Sequence, residues 1–373
     1  MVGSGKTAWG PSPRRQGKDA VAAKAPGKPH ESGSGSGGLL EITGFGSNPG
    51  NLRMLVASPR RAAASPALVV VLHGCTQTAA GYNAGTGWSA LAEKHGFFVL
   101  FAEQRAANNP RTCFSWFERA DTERDWGEAL SIWQMIEKTV ADHAIDRSRI
   151  FITGLSAGGA MTSVMLATYP EVFAGGAIIA GLPYRAATNF HEAFRCMFQG
   201  IQREPRAWGD LVRAASSHQG PWPKLSVWQG TKDRTVTPGN AGEIIKQWSD
   251  VHGLHGVVPR LETVNNYLRK VWHGPSGEAL LEEYVLTGIG HGTPVDSSHP
   301  ESTEAAGPFL LEAGISSTYH IARFWGLLNR PSVTPDVLDR IDHRVRKDKR
   351  RHVLSALQGL IVKALKAVGR IKS

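Results

Sequence analysis

Ser156 lies in Gly154-Leu155-Ser156-Ala157-Gly158, a G-x-S-x-G run between the apolar stretch 149–154 and a segment of small residues beginning at 157. A turn this sharp lifts the serine hydroxyl above a sheet edge, and a side chain in place of either glycine would collide with the neighbouring strand or helix. The serine then stands at a helix N-terminus, where the dipole favours developing negative charge. Such a hydroxyl is a weak nucleophile until a histidine removes its proton, and that histidine needs an acid to orient it. The chemistry implied is acyl transfer through a covalent serine intermediate.

Acid and histidine are expected after the serine, in that order, each just beyond a later strand. "KLSVWQG" (224–230) is followed by "TKDRTVTP", which supplies Asp233; "EEYVLTG" (282–288) is followed by "GIGHGTP", which supplies His291. Asp121 and Asp125 precede the serine and are disfavoured by order. Asp233 could instead cap a turn, and His291 could be a surface-loop residue. The tetrahedral intermediate also needs two backbone donors. One is expected from Ala157, next to the nucleophile, and the other from "LHGCTQ" after the run 67–73, with Cys75 favoured. His73 is expected to hold that loop by a hydrogen bond. Phe114, Trp116 and Phe117 either wall an acyl or aryl pocket or belong to the core.

The elements that would position these groups are legible as alternation. Short β-branched or aromatic runs at 67–73, 97–102, 149–154, 175–181, 224–230 and 282–288 alternate with helical segments at 83–95, 125–143, 157–168 and 239–252. That rhythm predicts an α/β domain, a mostly parallel central sheet with helices on both faces. The stretch 183–222 has neither strand character nor a clean helical period and is expected to be a partial cap insertion. Residues 1–38, rich in Gly, Ser and basic residues, read as a disordered leader. Residues 330–373 read as a basic amphipathic helical tail, with Val353, Leu354, Leu357, Leu360, Ile361, Ala364, Leu365 and Val368 on one face. It would either lie on a granule or membrane surface or dock on the protein's own body.

Composition excludes several classes. The 373 residues carry a formal charge of +10. Residues 1–38 hold six Lys/Arg against two acids and residues 330–373 twelve against four, so the tails exceed the total and the body between them is slightly acidic. A nucleic-acid function is not expected where the catalytic body lacks positive charge. No run reaches 18 consecutive apolar residues. The leader has no apolar segment of secretory type, so either the protein stays in the cytoplasm or its true start was removed. Three cysteines, Cys75, Cys113 and Cys196, show no zinc-ligand spacing, and His252 and His255 in "VHGLH" read as helix-end residues. No metal and no cofactor are expected.

Seven blocks, "GSNPGNLRM" (46–54), "LVVVLHGCTQTAAGYNAGTGW" (69–88), "CFSWF" (113–117), "GLSAGGAMT" (154–162), "WQGTKDRTVTPGNA" (228–241), "GIGHGTPV" (288–295) and "AGISSTYHIARFWGL" (313–327), resemble in order the polyhydroxybutyrate depolymerase family of esterases, which also holds feruloyl and acetylxylan esterases. The resemblance spans about 40–329. It implies an α/β-hydrolase fold over 39–329 and an esterase whose triad is Ser156, Asp233 and His291. It also implies that Cys75 in the oxyanion loop can pair with Cys113, and that related proteins are commonly exported. The substrate implied is a short-chain hydroxyalkanoate ester or its oligomers, or else a feruloyl or acetyl ester of plant polysaccharide. A non-catalytic granule- or membrane-associated scaffold is the reading from another class.

Overall fold

The computed structural model describes residues 38–300 and 302–328. The leader expected over 1–38, apart from Gly38, and the tail expected over 330–373 lie outside the described residues.

The sheet is built from β1 (Leu40–Ile42), β2 (Arg53–Ala57), β3 (Leu68–Leu72), β4 (Phe98–Glu103), β5 (Ile150–Leu155), β6 (Gly175–Ile179), β7 (Lys224–Gly230), β8 (Arg260–Val264), β9 (Tyr267–His273) and β10 (Ala279–Leu286). Their order across the sheet is β1-β2-β4-β3-β5-β6-β7-β10-β9-β8. The pairings from β4 through β10 are parallel, and the outer pairings are antiparallel. Every residue of β3, β4, β5 and β6 is buried. A strand covered on both faces must be apolar throughout rather than alternating, which is what "LVVVL" encodes. Leu68, Val70 and Leu72 enter one core and Val69 and Val71 the other, so the pleat divides a single apolar run between two layers.

The first layer is closed by α4 (Gly127–His143), α5 (Ala157–Thr168), α6 (Phe190–Gln199), α7 (Pro205–Arg213) and α8 (Gly239–Val251), with α3 (Arg119–Thr122) leading into α4. The second is closed by α1 (Ala79–Thr86), α2 (Trp88–His95) and α9 (Ser317–Phe324), together with the small parallel pair β11 (Thr293–Val295) and β12 (Leu310–Glu312). This is the α/β-hydrolase fold. Among the described residues no helix is long and apolar enough to cross a membrane.

Three local readings need correction. The helix expected over 83–95 is two helices, α1 and α2, parted at Gly87, whose φ of 69° is the left-handed conformation that ends α1. The stretch 183–222, read as lacking helical period, contains α6 and α7. On α6 Phe190, Ala193, Phe194, Met197 and Phe198 recur at helical spacing, so the period was present in the sequence and was missed; the structure buries Ala193 and Cys196 and leaves the three phenylalanines exposed. The hairpin β8-β9 was not expected, because β8 is a polar, largely exposed edge strand. Asn265 and Asn266, with φ of 48° and 66°, form its two-residue turn, and that pair is the signal that could have found it.

Candidate active site

All the candidate groups lie at the carboxyl ends of the parallel strands, where an open α/β sheet leaves its crevice. Ser156 joins β5 to α5 with φ 57° and ψ −117°. A β-carbon on Gly154 would run into the backbone of Gly158, and one on Gly158 would run into the carbonyls of Leu72 and His73. The motif's glycines therefore exist because strand, helix and the turn after β3 meet without room for a side chain.

His291 follows β10, and its Nε2 is 2.9 Å from Ser156 Oγ while its Nδ1 is 2.7 Å from Asp233 Oδ2. The carboxylate can only accept, so Nδ1 carries the hydrogen and Nε2 is left to accept from the serine hydroxyl. Asp233, beyond β7, has a fully buried side chain. Its Oδ1 accepts from the backbone N–H groups of Thr235 at 2.8 Å and Val236 at 2.9 Å, and its Oδ2 also accepts from Gln229 Nε2 at 3.0 Å. Turn capping and histidine pairing, considered as rivals from sequence, are both performed by this one carboxylate. Asp121 and Asp125 are engaged elsewhere, with the Glu128 N–H and with Tyr169 respectively.

The turn after β3, where one oxyanion donor was expected, is equally constrained. In the turn after β3 the Gly74 N–H donates to Gln77 Oε1 at 2.9 Å and the Thr76 N–H to Arg111 O at 2.6 Å. Between them the Cys75 N–H has no acceptor among the described residues. Ala157 is the first residue of α5, where a helix leaves its N–H groups unsatisfied. His73 fastens the loop: its Nδ1 is 2.7 Å from Gly74 O, and its Nε2 accepts from Gln104 N at 3.1 Å. Burial lowers the His73 pKa, which keeps the ring neutral for that pair of bonds. Cys75 and Cys113 are joined by a disulfide, tying the turn after β3 to the segment that carries Trp116. The side-chain bonds of Gln77 and Gln229 were not foreseen, since a glutamine carries no motif and its partner is fixed only by folding; Gln104 meets His73 through its backbone N–H.

The aromatic expectations divide. Phe114 is 1% exposed, with its ring 5.2 Å from that of His73, so it packs against the turn after β3 and belongs to the core. Trp116 is buried too, but its ring meets Phe117 edge-on and begins a continuous series: Trp116–Phe117 at 5.2 Å, Phe117–Phe190 at 6.3 Å, Phe190–Phe194 at 4.6 Å and Phe194–Phe198 at 5.7 Å. The three α6 phenylalanines are 58%, 46% and 52% exposed. The far end of α6 is held where Thr237 N donates to Met197 O and Asn240 Nδ2 to Cys196 O. α6 thus runs from Phe117 to the segment following Asp233.

Among the described residues no group of His, Cys, Asp and Glu has the geometry to hold a metal. His252 lies against Pro223 O at 3.1 Å, a structural bond at the end of α8.

The family described as Esterase PHB depolymerase matches residues 53–259. The chain is 47% identical over 292 residues to a poly(3-hydroxyalkanoate) depolymerase C of Paucimonas lemoignei, covering 78% of this chain and 70% of that one. It is 33% identical over 287 residues to a probable acetylxylan esterase A of Aspergillus fumigatus, covering 74% and 75%. The feruloyl esterase B of Neurospora crassa is 33% identical over 266 residues, covering 69% and 89%. Among solved structures, the acetyl xylan esterase from Aspergillus awamori matches with a TM-score of 0.66 at 27% identity, covering 78% of this chain and 99% of that one. This chain is a carboxylic ester hydrolase, and it belongs to the Esterase PHB depolymerase family.

Proposed function

We propose that Ser156, His291 and Asp233 form the catalytic triad, and that the enzyme cleaves short-chain hydroxyalkanoate esters or polyhydroxybutyrate oligomers through an acyl-enzyme. The observation that carries the reading is the imidazole of His291, bonded at one nitrogen to Ser156 and at the other to Asp233. As Ser156 Oγ bonds to the ester carbonyl carbon, Nε2 takes its proton and the carbonyl oxygen becomes an oxyanion, received by the N–H groups of Cys75 and Ala157. Collapse breaks the bond to the alcohol oxygen, which leaves with the proton returned by Nε2. Water repeats the sequence on the acyl-enzyme, releasing the acid and restoring Ser156. Asp233 holds the ring in one tautomer and stabilises its cationic form.

Support for a hydroxyalkanoate ester comes from the 47% identity to the Paucimonas lemoignei depolymerase. The half-exposed phenylalanines of α6 fit a polyester, because rings without polar atoms offer contact area to an apolar chain but no hydrogen bond to a sugar. We extend the proposal to adsorption on a polyester granule through this ridge, with the basic tail over 330–373 as a second attachment. The similarity to acetylxylan esterases favours a second reading, acetyl or feruloyl esters of polysaccharide. A non-catalytic scaffold has no support from these relatives. The test is a panel of hydroxybutyrate oligomers, methyl ferulate and acetylated xylan, with Ser156→Ala as control. Preferred turnover of the oligomers is expected; preference for either of the others transfers the assignment.

A further inference from the structure

Phe309 is an unusual residue in an unusual conformation. Gly307 and Leu310 exchange backbone hydrogen bonds at 2.9 and 3.0 Å, closing a turn with Pro308 and Phe309 at its centre. Phe309 has φ 61°. Proline followed by a residue of positive φ is the pattern of a type II turn, whose third position is ordinarily glycine or asparagine because a β-carbon is strained there. A phenylalanine in that position is disfavoured by the backbone, and its ring gains little from burial, since it remains 41% exposed. Bulky side chains held in such conformations concentrate at functional sites.

The surroundings show where the ring is being held. The turn is anchored on three sides: Leu310 is buried in the second core, Thr293 N donates to Phe309 O at 2.8 Å, and Gln77 Nε2 donates to Pro308 O at 3.4 Å. Gln77 is the residue whose Oε1 holds the Gly74 N–H in the oxyanion loop. The Phe309 ring itself stands edge-on to His291, with centroids 6.2 Å apart at 78°. The turn therefore links the oxyanion loop to the histidine and places an apolar surface beside the imidazole.

Chemistry assigns a side to that surface. The proton that His291 Nε2 accepts must be returned to the departing alcohol oxygen, so that oxygen comes within hydrogen-bond reach of Nε2, and its carbon substituent lies beside the imidazole. The acyl carbon is meanwhile fixed to Ser156 Oγ. From this we infer that Phe309 walls a leaving-group subsite, which takes an apolar or aromatic alcohol portion of the ester. The inference rests on the triad proposed above.

Two ester series separate the sides of the scissile bond. In one the acyl group is butyrate and the alcohol is methanol, butanol or benzyl alcohol; in the other the alcohol is methanol and the acid is acetate, butyrate or hexanoate. Phe309→Ala removes the ring, and Phe309→Gly removes it while also relieving the backbone, so that a folding defect in the first does not obscure the second. For both variants the kcat/KM ratio of benzyl to methyl butyrate is expected to fall about tenfold or more. The acetate to hexanoate ratio should stay within about twofold, because the acyl side is untouched. A shift confined to the acyl series, or unchanged ratios in both series with turnover intact, overturns the assignment of Phe309 and leaves the triad standing. Failure of the unmodified protein to turn over any of these esters overturns the triad, and this inference with it.

Discussion

Asp233 reaches His291 with one carboxylate oxygen and closes its own turn with the other: Oδ2 lies 2.7 Å from Nδ1, while Oδ1 accepts the Thr235 and Val236 N–H groups. The carboxylate bonded to His291 is thereby fixed by the same backbone that presents it. Asp233→Asn keeps an acceptor for the turn but offers the imidazole an amide that can hold the wrong tautomer, and kcat should drop about 10⁴-fold with little change in folding. Asp233→Ala loses both functions, so a further loss of about 1–2 kcal/mol in unfolding free energy is expected. Equal stability for the two variants would show that the turn does not depend on Oδ1.

Ser156 has a left-handed φ of 57°, a conformation that costs a non-glycine residue about 1–3 kcal/mol. Ser156→Ala and Ser156→Gly should both lower turnover by about 10⁴-fold or more, since each removes the proposed nucleophile. Only the glycine variant escapes the backbone strain, and thermal unfolding should find it more stable than the alanine variant by about 1 kcal/mol. A glycine variant no more stable than the alanine variant would argue that the elbow stores no strain.

The bond between Cys75 and Cys113 spans a sequence separation of 38 residues and fixes the loop whose Cys75 N–H is proposed as an oxyanion donor. With Cys196 the remaining thiol, denatured but unreduced protein should release one thiol per chain. Cys113→Ala should cost about 3–4 kcal/mol of stability through the freed unfolded chain. It should also reduce kcat more than it raises KM, because a displaced oxyanion donor is missed chiefly in the transition state. An effect on KM alone would detach the disulfide from oxyanion binding.

Acid should destabilise the fold through buried imidazoles. Burial pushes the pKa of His252 down to about 4, partly offset by its bond to Pro223, and burial with Arg323 and Arg269 nearby pushes that of His320 down to about 4. Above pH 6.5 both rings are neutral folded or unfolded. As pH falls from 6.5 toward 4 the unfolded chain binds protons that the folded one refuses, so stability declines, and below 4 this contribution stops changing. About 1–3 kcal/mol per histidine is at stake. Urea midpoints measured between pH 7 and 4 should fall less steeply for His252→Gln, whose amide can still donate to Pro223 O; parallel declines would remove His252 as a cause.

The exposed ring series on α6 can be tested apart from chemistry. Phe194→Asp, at the middle of the ridge, should weaken adsorption to a polyhydroxybutyrate film about tenfold while leaving hydrolysis of soluble p-nitrophenyl butyrate unchanged. Deleting 331–373 measures the tail's share of the same binding. Undiminished adsorption of Phe194→Asp would leave the ridge without a role in polymer contact.

What the sequence determined by itself was whatever local physics enforces. The runs at 67–73, 97–102 and 149–154 read as buried strands, and the glycines around Ser156 as a turn with no room for side chains. Chain order then named Asp233 and His291, because strand ends in a parallel sheet fall at one rim. Tertiary structure decided what depends on partners distant in the chain. Phe114 went to the core with its ring against His73, α6 turned Ala193, Cys196 and Met197 toward the body and left its phenylalanines exposed, and Asp233 bonded both to its own turn and to His291. Phe309 carries no signal in the sequence, since neither its strained φ nor its neighbour His291, eighteen positions earlier, is encoded nearby. Periodicity and turn chemistry act over a few residues, whereas a site is a meeting of loops, and which side chains meet is fixed only when the whole sheet is assembled.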